Sequence, residues 1–129
     1  MSLLRLLPAV VVLAGCMTGS GLQPSADVTT ASPAWVHRFQ VDWTQEMEAS
    51  GTRKVTGYVR NISGDDVYDV QLLAQALDAS GGVVGQRISW GGSMAGFSRA
   101  YFVVRDLPAA QSYRVTVWNF TVLQSEGWD

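Results

Sequence analysis

From Trp35 to about Leu123 apolar and polar positions alternate with a period of two, and clusters of Gly, Asn, Asp and Pro break the alternation into short runs. That pattern predicts strands over 35–47, 52–61, 66–78, 83–90, 97–105 and 112–123. In the first run Trp35, His37, Phe39, Val41 and Trp43 share one face, which is assigned to the core. In the second, Val55, Gly57, Val59 and Asn61 face one way and Lys54, Thr56, Tyr58 and Arg60 the other. Gly57 is expected to permit a close approach across the core. Val70, Leu72, Ala74 and Ala76 form one face of the third run, while its second face, with Leu73 and Leu77, is semi-apolar. Val67, Val70, Leu73, Ala74 and Leu77 also fit the three-and-four spacing of a helix, so 66–78 is read as strand with helix as the alternative. The last run sets Tyr113, Val115 and Val117 against Arg114, Thr116, Trp118 and Phe120.

Strands at this spacing, with no helix long enough to cover a parallel sheet, predict an all-β fold: a small antiparallel immunoglobulin-like β-sandwich of six to seven strands. Residues 35–123 are enough for one core and one domain. A short tail, 124–129, follows.

The chain before residue 35 has a different texture. Arg5 and the apolar run Leu6 to Leu13 have the build of an export signal, and the run is too short to span a membrane, which takes about 20 apolar residues. Leu13-Ala14-Gly15-Cys16 then resembles the lipobox of bacterial lipoproteins. The resemblance implies that Leu13, Ala14 and Gly15 are read by the signal peptidase, that residues 1–15 are removed, and that Cys16 becomes a lipid-bearing N-terminus. Burial of acyl chains contributes about 0.8 kcal/mol per CH₂, and two chains make anchoring durable. Met17, in place of the aspartate that marks inner-membrane retention in many such lipoproteins, points to the outer membrane, facing the periplasm, in a cell with two membranes. Residues 16–34, rich in Gly, Ser, Thr, Pro and Ala, read as the lipidated end and a flexible tether holding the domain roughly 20 to 25 Å from its anchor.

Charge and cysteine content narrow the function classes. The net charge of −2 is small and mixed, with no clustered basic face of the kind nucleic acid requires. The single cysteine is assigned to lipid, so no disulfide supports the domain and its stability must come from packing. No zinc-ligand cluster and no Gly-x-Ser-x-Gly elbow are present, and His37 is the only histidine. Oxygen donors gather in Asn61-Ile62-Ser63-Gly64-Asp65-Asp66 and Asp69, without EF-hand spacing, as in an ordinary turn. The expectation is a protein that is not an enzyme and uses no cofactor or metal beyond the covalent lipid on Cys16. Five tryptophans are the compositional excess. Trp118 and Phe120, with Arg114 beside them and Tyr58 on a neighbouring strand, are the candidate binding patch.

Gly57-x-Val59-x-Asn61, Val70-x-Leu72 and Asp78-x-x-Gly81-x-Val83-Val84 together resemble the small bacterial domains called FxLYD, over about half of the domain. Of the motif that names them, only Asp78 matches. The resemblance implies a β-sandwich of the type carried by exported lipoproteins, a family with no general biochemical activity. The functional expectation is a non-catalytic, membrane-anchored envelope lipoprotein that binds or scaffolds another envelope protein. The alternative is a module for a small ligand or glycan.

Overall fold

A computed structural model describes residues 22–123. The lipobox, Cys16 and the tail 124–129 lie outside the described residues. Six strands follow a single-turn 3-10 segment at Pro33–His37: β1 (Phe39–Met47), β2 (Arg53–Asn61), β3 (Val67–Leu77), β4 (Val83–Met94), β5 (Arg99–Leu107) and β6 (Ser112–Val122). They form two three-stranded antiparallel sheets, ordered β1-β2-β5 and β4-β3-β6. The protein is all-β and a small β-sandwich, as the alternation predicts. Its strand order matches strands A, B and E packed on C′, C and F of immunoglobulin-like sandwiches.

Between the sheets lie Phe39, Val55, Val59, Val67, Val70, Leu72, Ala74, Met94, Phe102, Val104, Leu107, Val115 and Val117, all buried. Leu73, Gln75, Thr116 and Trp118 alternate with core residues and so project from the opposite face, yet they are buried too. Residues 25–32 cross that outer face. The Gln75 amide donates to the Ser25 carbonyl, the Thr116 hydroxyl to the Thr29 carbonyl, and the Thr30 hydroxyl to the Val117 carbonyl, while the Ala31 N–H donates to the Trp118 carbonyl. Part of the stretch read from composition as a tether is therefore a strap docked on β3 and β6. Hydroxyls and carbonyls hold it, which explains why no apolar periodicity announced it.

The first strand begins later than its alternation implied. Pro33 starts a 3-10 turn, so Trp35 packs against the core from that turn and His37 lies exposed on it rather than on a core-facing strand. β4 runs on through the stretch expected to be a loop, to Met94. β3 is strand, and its helix-like spacing has a different origin. Val67 and Val70 both face the core because the extra residue of a β-bulge lies between them, and Asp69 there takes φ 56°. Gly57 does permit a close approach, but of its own sheet neighbour: a Cβ there would overlap the Asp42 carbonyl of β1.

At the turn between β5 and β6, the Tyr113 hydroxyl donates to the Pro108 carbonyl at 2.6 Å while its ring packs on the core. This is the tyrosine corner of immunoglobulin-like sandwiches, where a tyrosine at the start of strand F ties back to the E–F turn. Tyr113→Phe is expected to cost about 1–2 kcal/mol, lowering the melting temperature by roughly 5–10 °C with the fold retained, as read by circular dichroism.

Candidate interaction surface

The four residues of the sequence-derived patch do not share a surface. Trp118 lies on the outer face of the β4-β3-β6 sheet, where it is only 7% exposed. Arg114 lies on the same face, its guanidinium donating twice to the Gln75 amide oxygen, at 3.1 and 2.6 Å. Phe120 faces the other way, edge-to-face with Phe39 at 5.0 Å and against the core. A bulge causes the switch: Leu72 pairs with Val117 but Gln71 with Asn119, so β6 carries one extra residue and the alternation reverses after Trp118. Tyr58 alone remains available, on the outer face of the other sheet.

The acidic turn is engaged within the protein. Asn61 is fully buried, donating to the Asp65 and Ala95 carbonyls and accepting from the Ser63 N–H and hydroxyl. Asp65 pairs with Arg38 at 2.8 Å, and Asp66 accepts the Gly96 N–H. These bonds join the β2–β3 turn to the β4–β5 turn, where Phe97 is held at φ 60° and stays 75% exposed. Two hollows accompany this scaffold. One, of about 270 Å³, lies between the edges of β4 and β5 and is lined by Arg87, Ile88, Val103, Arg105 and Asp106. The other, of about 280 Å³, is lined by Val67, Tyr68, Met94 and Leu123. Both are shallow and wide open to solvent, unlike the enclosing clefts that bury most of a small ligand. Among the described residues no three His, Cys, Asp or Glu side chains converge as a metal site would require.

The outer face of the β1-β2-β5 sheet is different in kind. In register across β2 and β5, Tyr58 stands opposite Tyr101 and Arg60 opposite Arg99. The two tyrosine rings meet edge-to-face at 5.4 Å, and the Arg99 guanidinium stacks 4.4 Å from the centre of the Tyr58 ring. The stacking is worth about 0.5–1 kcal/mol at an exposed site and biases the arginine toward this position. Tyr101 is 55% exposed, and no segment among the described residues covers this sheet as 25–32 cover the other. Period-two reading puts Tyr58 and Arg60 on an outward face. It cannot supply Arg99 and Tyr101, because the pairing of β2 with β5 is a long-range contact without a local signal.

Two carboxylates are held ionised by the turns around them. Glu48 accepts the Asp106 N–H, the Thr52 hydroxyl and the Arg105 guanidinium. The Asp106 N–H first and then the Thr52 hydroxyl pull its carboxyl below the usual value of 4.5; burial opposes them, and the Arg105 guanidinium adds a lesser pull. Asp78 is lowered likewise, by the Ser80 hydroxyl and then the Gly82 N–H, in the turn between β3 and β4. Both groups organise hairpins, and neither faces a hollow deep enough to use a perturbed proton.

Comparison with known protein families, with curated proteins and with solved structures returns no match for this chain.

Because the folded state holds the Glu48 proton less tightly than the unfolded chain, its contribution is complete above pH 4.5 and is lost as pH falls through the lower folded value. Melting temperatures of the wild type and Glu48→Gln, measured from pH 7 to pH 2.5, should differ most at neutral pH, with the wild type higher. The two curves should converge on acidification; a constant gap would contradict the assignment.

Proposed function

We propose that this protein is a non-catalytic, lipid-anchored lipoprotein of the bacterial cell envelope whose sandwich binds another envelope protein. The reading combines the Leu13-Ala14-Gly15-Cys16 cleavage and lipidation sequence with one structural observation: the sandwich sheathes one outer face with its own chain and leaves the other bare. The domain conceals Trp118 under a strap and presents Tyr58 and Tyr101 side by side on the opposite outer face. Exposed aromatic and arginine groups are the residue types that anchor protein interfaces. The FxLYD resemblance agrees with this reading, and the outer membrane, facing the periplasm, is the proposed site in a cell with two membranes.

The strap changes the geometry of the anchor. Docking begins near Ser25, so residues 25–34 belong to the domain and not to the tether inferred from composition.

Two measurements test the proposal. Cys16→Ser should abolish incorporation of a labelled fatty acid and move the protein from the membrane fraction to the soluble one; unchanged membrane association would refute the anchor. Chemical cross-linking of intact cells should join the wild-type protein to a defined envelope protein, and Tyr101→Ala should reduce that product while leaving abundance and melting temperature unchanged. A cross-link pattern indifferent to Tyr101, or confined to lipid, would refute protein binding by this face.

A further inference from the structure

The outer face of the β1-β2-β5 sheet carries a charge arrangement with no internal counterpart. Arg60 and Arg99 are directly opposed across β2 and β5, and both are exposed. Like charges so placed repel each other. Four cations elsewhere are ion-paired, Arg38 with Asp65, Lys54 with Glu46, Arg87 with Asp106 and Arg105 with Glu48, while Arg53 and Arg114 donate to neutral oxygens, of Gly51 and Gln75. Among the described residues neither Arg60 nor Arg99 has such a partner. Across β1 the register places Gln40 opposite Arg60 and Asp42 opposite Tyr58, and Asp42 forms an ion pair with neither arginine. The Arg99 guanidinium lies 4.4 Å from the centre of the Tyr58 ring, and its N–H groups can donate to a planar anion.

We propose that the Arg60–Arg99 pair is the recognition site for an acidic segment of the partner, whose carboxylates bridge the two guanidiniums while an adjoining apolar side chain rests on Tyr101. The inference rests on the reading of this face as a protein-binding surface, and it adds the chemistry of what is bound. A carboxylate ligand removes the repulsion built into the free protein, and the edge-to-face tyrosines supply a rigid apolar floor beside it. A basic or uncharged segment would gain nothing from the arginines.

The test uses the full-length, lipidated protein in living cells, with a photo-cross-linking amino acid at position 40, which stands opposite Arg60 in the pairing of β1 with β2, and the attached partner peptide identified by mass spectrometry. The expected product carries Asp or Glu residues within a few positions of the cross-link. Its yield should fall about tenfold in an Arg60→Ser/Arg99→Ser variant of unchanged melting temperature, the equivalent of about 1.4 kcal/mol, and stay unchanged in the control Arg87→Ser. Attachment to a peptide without carboxylates, or a yield indifferent to the double substitution, would overturn the acidic-segment proposal and leave protein binding by this face intact. Attachment to lipid or glycan alone, or no product, would overturn both.

Discussion

A strand buried on both faces needs cover on both, and β3 is such a strand. From Leu72 to Leu77 every residue is buried. Continuous burial of this kind usually belongs to parallel sheets roofed by helices on each side. Here no helix beyond a 3-10 turn is present among the described residues, so one face of β3 is covered by the opposing sheet and the other by the chain's own residues 25–32. Burial of Gln75 follows from that arrangement. Its amide must be satisfied inside the protein, and it is, by the Ser25 carbonyl, Gln86 and Arg114. Arg114 is thereby committed to structure and withdrawn from any binding surface.

The second organising feature is the set of bulges. Extra residues enter the pairing at Asp69 in β3, around Gly91 in β4, near Asp106 in β5 and beside Trp118 in β6. Each adds twist and shifts the alternation by one residue, which lets two short sheets close around a shared core. At Asp106 the bulge also turns a backbone N–H toward Glu48, joining the β1–β2 hairpin to β5. That bond lies within one sheet; with a single cysteine and so no internal disulfide, the bonds of Asn61 to the Asp65 and Ala95 carbonyls and of Tyr113 to the Pro108 carbonyl tie the connections that run between the sheets.

These features explain what was legible in the sequence. Strand number and most strand boundaries follow from period two, and so does the core set Val55, Val59, Leu72, Ala74, Val115 and Val117. The semi-apolar second face of the third strand, with Leu73 and Leu77, is visible in the sequence, but that β3 is covered on both faces is not read from it, since the cover is a polar segment. Alternation fails wherever a bulge intervenes: the Val67–Val70 spacing imitates a helix, and Phe120 is assigned to the wrong face. The strap was illegible because Ser, Thr and Ala contribute hydrogen bonds without a hydrophobic rhythm. The bare face was half legible, since Tyr58 and Arg60 lie within one strand while their counterparts Tyr101 and Arg99 lie some forty residues onward, across a pairing that only the fold defines.

The strap also sets the order in which the domain is completed. Thr30 bonds to Val117 across 87 residues, so the earliest described segment finds its seat only when the last strand is in place. A chain that has formed every strand but β6 has nothing for residues 29–31 to hold, and the second face of β3 stays open to water. Closure of such a long loop is slow and yields no partial gain. The two ends of the domain therefore secure one another, and a copy truncated at either end loses the cover of the same buried strand.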